Sequence, residues 1–158
     1  MKTLFFFAAI ILGHQVSNAQ IQGMIVSYSK TDVSTKLSDI SEMFVVAGTT
    51  IQYSLIRTGS GGKVELDKKA KCEIKIEQLK EVEQLIKERK LDATDSLPFD
   101  RHSNEISQLI FIHITGLVNK KMVSIRVEGS LKEIEDKLLY RNSMELVLLL
   151  RKVTERCR

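Results

Sequence analysis

The chain has 158 residues, of which 43% are hydrophobic and 28% charged, and its formal net charge is +4. This composition is typical of a globular protein that can bury a core, and it excludes a generally disordered chain. The length suits one domain. Lys and Glu are interspersed along most of the chain, so the mildly basic balance favours at most a weak preference for anionic surfaces.

The N-terminus has the pattern of a secretory signal peptide. Lys2 supplies a positive start, residues 4–12 form an unbroken apolar run, and Ser17 and Ala19 are the small residues of a cleavage site. The apolar run is too short for a transmembrane helix, which needs about 20 residues. We therefore expect residues 1–19 to be removed after Ala19. The Ala-Gln junction resembles those of exported bacterial proteins, so we expect the mature protein to be secreted or periplasmic.

Export sets the expectations for the mature chain. Residues 20–158 are expected to form a single globular domain with no transmembrane segment, and nucleic acid is not an expected partner outside the cytoplasm. Cys72 and Cys157 both survive cleavage, and an oxidising compartment favours their pairing. Such a bridge would close a loop of about 85 residues and stabilise the fold by about 4–5 kcal/mol in the chain-entropy model. Two separate buried thiols are the alternative.

The first half of the mature chain predicts strands. Apolar residues recur at alternate positions in 21–29 and 50–57, residues 42–47 look extended, and a Gly-Thr turn joins the last two segments as a hairpin. Residues 63–74 are polar enough for an edge strand, whose lysines discourage edge-to-edge pairing. Residues 31–41 fit a loop, an edge segment or a weak helix. A loop or an edge segment is favoured because Ser, Thr and Asp compete with the helix backbone for hydrogen bonds.

The second half predicts a helix, a long connection and a central hairpin. Residues 76–90 carry the apolar stripe of an amphipathic helix, and residues 91–107 form a polar connection with the only proline. Residues 108–129 predict a hairpin whose first arm is apolar on both sides, which is typical of a central strand covered on both faces. His113 lies in this arm, where a hydrogen-bonded structural histidine is expected rather than a ligand.

The C-terminal region predicts a further helix. Ser130 and Glu133 have the spacing of a capping box, a pause is expected at residues 142–143, and residues 144–150 are apolar nearly all round. Such a segment packs as a core helix across the sheet or forms a homodimer face, and the sequence leaves a homodimer open. The order of elements predicts an α+β fold, with an antiparallel sheet of five to six strands in β-hairpins, two main helices packed on one face, and the C-terminal helix last.

The weak candidates for a metal or acid–base site lie in residues 92–105 and are Asp95, Asp100, His102 and Glu105. A hard cation could use several of these carboxylates. Their spacing does not match a calcium loop, however, and zinc would require more His or Cys. A solvated loop is therefore the favoured interpretation. The sequence assigns no catalytic residue, no metal site and no cofactor.

Part of the chain has the layout of a known family. Residues 51–57, the Gly-Gly turn at 61–62, the helix at 76–90, the hairpin and the C-terminal helix follow one another in an order that resembles small exported bacterial domains of the emfourin type. That family includes a metalloprotease inhibitor, so the resemblance implies inhibitor-like binding. The N-terminal hairpin and the cysteine pair depart from the family pattern.

The expected function is that of an exported, non-enzymatic domain that binds a protein or an envelope component. It depends on the signal peptide, the resemblance, and a sequence without nucleophile or cofactor motifs. Two alternatives remain open. One is a small metal-dependent hydrolase that uses residues 92–105. The other is a self-associating structural protein that uses residues 144–150.

Overall fold

The computed structural model describes residues 21–33, 38–59, 62–99 and 108–155, so the predicted signal peptide lies outside the described residues. The fold is α+β, as predicted, and the C-terminal helix is the last element. The elements in chain order are β1 (Ile21–Asp32), β2 (Ser38–Ala47), β3 (Thr50–Gly59), β4 (Val64–Glu73), α1 (Ile76–Glu88), β5 (Thr94–Leu97), β6 (Gln108–Val118), β7 (Lys121–Ser130), α2 (Leu131–Ile134) and α3 (Leu138–Glu155).

The strands of the described residues form one seven-stranded sheet in the order β4-β3-β2-β1-β6-β7-β5. All neighbouring strands are antiparallel except β5, which runs parallel to β7. The prediction of five to six purely antiparallel strands is therefore wrong. It missed β5 because this four-residue strand is mostly exposed and carries no alternating apolar pattern. Its backbone nevertheless pairs with β7, which would otherwise have an open edge.

The sheet has one buried face and one open face, which we call the inner face and the outer face. Inner-face residues such as Val26, Phe44 and Ile114 are fully buried. Helices α1 and α3 contribute Leu79 and Leu150 to the same core. Burial of alternate residues follows from the pleat, which sends successive side chains to opposite faces. The described helices thus complete a single core on the inner face.

The predicted hairpin at 108–129 exists as β6 and β7, joined by a turn in which Asn119 and Lys120 both have positive φ. Two such residues give the turn the twist that tight hairpins prefer. Strand β6 is central, as predicted, but it is not covered on both faces. Phe111 and His113 lie on the outer face, and Phe111 is 37% exposed. The apolar composition of β6 could not show that helices cover only one side.

The interpretation of residues 31–41 as a loop is wrong at both ends of that segment. Strand β1 continues to Asp32, β2 begins at Ser38, and Thr31 pairs with Asp39 across the two strands. Residues 34–37 lie outside the described residues. Cross-strand pairing overrides the local preference of Ser, Thr and Asp because it satisfies the backbone groups of both strands.

The capping box predicted at Ser130 is absent. Ser130 is the N-cap of α2, but its side chain makes no capping hydrogen bond, and its Oγ is buried without a partner. The predicted pause at residues 142–143 is also wrong. The helical structure is instead interrupted at residues 135–137, between α2 and α3, and α3 runs continuously through Asn142. Helix α3 tolerates Asn142 because its side-chain amide donates to the carbonyl oxygen of Arg89 at 3.1 Å, which ties α3 to the end of α1.

The apolar run at 144–150 belongs mainly to the core. Leu146, Val147 and Leu150 are fully buried, whereas Leu148 points away from the core and is 52% exposed. The interpretation of this run as a core helix therefore fits most of its residues, and only the exposed Leu148 departs from it.

Cys72 lies on β4 opposite Ile51, is partly buried and is disulfide-bonded. Cys157 lies outside the described residues, so its role as the partner stays a prediction. Peptide mapping without reductant tests it, and a Cys72 peptide linked to any thiol other than Cys157 would contradict it.

A close approach of β1 and β6 depends on Gly116. A Cβ atom on this residue would contact the carbonyl oxygen of Gly23 and would lie 2.7 Å from the Cα atom of Met24. Both neighbours belong to the backbone, so neither can rotate away as a side chain could. The two strands can pair at this point only because residue 116 has no side chain.

We predict that Gly116→Ala lowers the free energy of unfolding by about 1–3 kcal/mol, the range for overpacking a tight site. Chemical denaturation of both proteins measures the change. Gly23→Ala is the matched control, because a Cβ there meets no atom within 4 Å. Equal midpoints for the two variants would contradict the role assigned to Gly116.

Candidate binding face

The outer face is the largest open surface that the strands build. It consists of the alternate residues that do not join the core. Its central members, strand by strand from β4 to β7, are Asp67, Lys69, Lys71, Gln52, Ser54, Ile56, Ser41, Met43, Val45, Ile25, Ser27, Ser29, Phe111, His113, Thr115, Ser124, Arg126 and Glu128. A pleated surface of this kind presents side chains in straight rows across the strands.

An apolar patch lies near the middle of the outer face. Ile25 and Val45 are direct cross-strand partners, and Met43, two residues before Val45 on the same strand, is 40% exposed. Phe111 adds an aromatic ring two strands away. Ser27 and Ser29 lie between Phe111 and the group of Ile25, Met43 and Val45. Solvated faces of antiparallel sheets are normally polar, and exposed apolar side chains that lie together commonly mark contact surfaces.

The patch borders a shallow depression of about 450 Å³ between β2, β3 and β4. Met43 and Val45 form its apolar side, Gln52 and Ser54 provide amide and hydroxyl groups, and Lys69 and Lys71 supply ammonium groups. The depression is open to solvent, so it suits contact with a protruding side chain of a partner better than enclosure of a small molecule.

The opposite half of the outer face carries His113 and Arg126, which are direct cross-strand partners on β6 and β7. Arg126 Nε donates to a carboxylate oxygen of Glu128 at 2.6 Å. The Ser27 hydroxyl donates to the backbone carbonyl of His113 at 3.4 Å, so that hydroxyl is not directed at the imidazole. These groups can donate and accept hydrogen bonds to a partner. Their contacts do not assemble a nucleophile with a base.

A second polar group of residues lies on the inner face, and the sequence did not point to it. Glu42 is only 6% exposed. Its carboxylate accepts hydrogen bonds from Arg151 Nε at 2.7 Å and from the Tyr53 hydroxyl at 3.1 Å. The Arg151 guanidinium also lies 5.1 Å from the centre of the Tyr28 ring, within cation–π range. This network joins α3 to β1, β2 and β3 and has a structural role.

We predict that Arg151→Met lowers the free energy of unfolding by about 3 kcal/mol, because it leaves the Glu42 carboxylate buried without its cation. Glu42→Gln combined with Arg151→Met should recover part of the loss, since no charge then stays buried. Lys152→Met, an exposed position on the same helix, is the control. A double variant less stable than Arg151→Met would contradict the proposed cause.

Burial raises the pKa of Tyr28, and the negative charge of Glu42 adds to this while Arg151 opposes it. Burial likewise raises the pKa of Tyr140, with smaller contributions from Tyr28 and Glu135. In the unfolded chain both phenols ionise near the ordinary value of 10.0. Above that pH the unfolded state therefore loses protons that the folded state still holds.

We predict that the titration of Tyr28 and Tyr140 leaves the free energy of unfolding unchanged below about pH 10. Above that pH it lowers the free energy of unfolding. Tyr28→Phe should reduce the slope, because one of the two groups no longer titrates. Denaturation midpoints across the alkaline range measure the slope, and near-ultraviolet absorbance of tyrosinate reports the ionisation itself. A slope unchanged by Tyr28→Phe would contradict the assignment.

The candidates for a metal or acid–base site are only partly described. Asp95 lies exposed on β5, and its carboxylate accepts a hydrogen bond from the backbone of Ser96 at 2.8 Å. Asp100, His102 and Glu105 lie outside the described residues. Within the described ranges, no three His, Cys, Asp or Glu side chains are grouped so that they could hold a metal ion.

In the part of the chain that the structure covers, no helix is both long enough and apolar enough to cross a membrane. The chain matches no protein-family model, and no curated protein sequence matches it.

Proposed function

We propose that this protein is an exported, non-enzymatic domain that binds a protein or an envelope component through its outer face. The observation that carries the proposal is the apolar group of Ile25, Met43 and Val45, with the exposed ring of Phe111 beyond Ser27 and Ser29, on a sheet face that lies outside the core. The hydroxyl, amide and charged side chains around the patch could form the polar rim that protein interfaces have.

Export remains part of the proposal. Strand β1 begins at Ile21, two residues after the expected cleavage site, and Ile21 is fully buried. Its backbone N–H donates to the Glu83 carboxylate at 3.2 Å. Removal of residues 1–19 would therefore leave every described element intact. Mass spectrometry of the protein recovered from periplasm and medium tests cleavage, and a chain that retains residue 1 would contradict it.

Inhibition of a secreted metalloprotease is the most specific form of this proposal. Its support is the emfourin-like layout of residues 51–57, the Gly-Gly turn and the helices that follow. An activity assay of metalloproteases with the purified protein tests it. Inhibition by the intact protein, lost when the outer-face patch is changed, would support both the inhibitor role and the face assigned to it. Inhibition that survives those changes would assign the role to another surface.

We predict that Met43→Lys and Phe111→Lys together abolish capture of the partner, because two charges would have to be desolvated inside the interface. Affinity capture from the envelope and medium of the producing cell, with each variant as bait, measures the loss. Leu148→Lys is the matched control, since it places the same charge on an exposed leucine of α3. A partner bound equally by all baits would contradict the proposal, as would a partner lost only with Leu148→Lys.

A further inference from the structure

Among the described residues, the edge strand β4 is paired along one side only. It hydrogen-bonds to β3, it is the last strand of the described sheet, and most of its residues are exposed along its whole length. The backbone groups on its other side are therefore available to a further strand. Such an edge accepts a partner strand unless its side chains prevent the pairing.

The charges along this edge follow an ordered pattern. In the regular part of the strand the alternate residues Asp67, Lys69, Lys71 and Glu73 share one face. Their signs are minus, plus, plus, minus, and the neighbouring pair Asp67 and Lys69 is complementary to itself about Lys68. The bulge between the partners of Arg57 and Thr58 ends this alternation before Glu65 and Lys63. Asp67 and Lys69 form an ion pair at 3.3 Å, which places both side chains on the same face of the strand.

We propose that β4 pairs with β4 of a second copy of this chain, antiparallel and centred on Lys68. In that register Asp67 of one copy faces Lys69 of the other. Because the dimer is two-fold symmetric, this contact is formed twice. Opposite charges directly across two strands stabilise their pairing, and like charges oppose it. The dimer is isologous, as most homodimers are.

Neighbouring registers are disfavoured by the same charges. Pairing centred on Asp67 sets that carboxylate against itself, and pairing centred on Lys69 sets that ammonium against itself. Of these three registers, only the one centred on Lys68 sets no two like charges of this face against each other.

The unfavourable contact in this register lies on the other face of β4, where Lys68 of one copy faces Lys68 of the other. This position is exposed, and long lysine side chains in water can swing apart while their ammonium groups stay hydrated. Glu65 is the extra residue of a bulge between the partners of Arg57 and Thr58. The contact of Asp67 with Lys69 lies in the regular part of the strand and is the one to test.

Two charge-reversed variants test the register. Asp67→Lys presents two cations at the tested positions, and Lys69→Asp presents two anions, so each variant alone should self-associate about tenfold more weakly than the wild type. An equimolar mixture should form a heterodimer with roughly wild-type affinity, because every tested contact is again between opposite charges. The double exchange Asp67→Lys/Lys69→Asp should likewise restore the homodimer.

Sedimentation equilibrium of the purified proteins over a concentration series measures these affinities. Glu81→Lys and Lys80→Glu, which make the same charge changes on exposed positions of α1, are the controls. Circular dichroism checks that every variant is folded. Raised ionic strength should weaken the wild-type dimer, since its contacts are exposed ion pairs.

Several outcomes would overturn the proposal. One is a wild-type protein that stays monomeric up to its solubility limit. Another is self-association that neither charge reversal weakens, which would place the contact elsewhere, for example on residues 144–150. A mixture of the two variants that binds no more tightly than either alone would also exclude this register. Asp67 and Lys69 also belong to the outer face, so the proposed function is tested separately, with the variants of Met43 and Phe111, which leave the β4 contact unchanged.

Discussion

Burial of a single face of the sheet is the constraint on which the other features of this protein depend. The inner face supplies a continuous apolar surface across β1, β2, β3, β6 and β7, and the helices complete one core against it. The outer face contributes nothing to that core. Apolar side chains such as Met43 and Phe111 therefore stay in contact with water. A partner that covers them would remove apolar surface from water, and this would stabilise the complex through the same hydrophobic effect that stabilises helix packing on the inner face.

A partly buried ion pair between Arg151 and Glu42 orients α3 on this sheet. Leu146 and Leu150 could pack against an apolar surface in more than one orientation, because hydrophobic contact has little directional preference. The contacts of Arg151 with Glu42 and Tyr28 have defined geometry and select one orientation. A second link comes from Arg89 at the end of α1, whose guanidinium donates to the Glu145 carboxylate at 2.6 Å. This exposed ion pair adds little to the free energy of unfolding, but it joins α1 to α3.

The two ends of the sheet are protected differently. At one end the short parallel strand β5 pairs with β7 and leaves only four residues at the open edge. At the other end β4 presents ten residues, most of them exposed, and its charges are the main barrier to further pairing. A short edge limits pairing by its length, whereas a long edge has to limit it by side-chain choice. This difference is why β4 is the strand on which we propose a selective contact.

Much of the architecture was predictable from local pattern. The alternation of Val123, Ile125 and Val127 predicted β7 and its buried face, and the apolar stripe of residues 76–90 predicted α1. The α+β class and the terminal helix followed from the order of these elements. The capping box was wrong because its spacing allows the hydrogen bond at Ser130 but does not enforce it. Strand β5 was missed because its pairing with β7, and not its own composition, makes it a strand.

The sequence by itself determined which side of each strand and helix is apolar, because the pleat and the helical turn give that side a period of a few residues. The tertiary structure alone decided which apolar side chains are covered, and this left Phe111 at the surface of a central strand. It also brought Glu42 to Arg151 across 109 positions of the chain. Contacts between residues so far apart depend on how the whole chain packs, and no local pattern of residues records them.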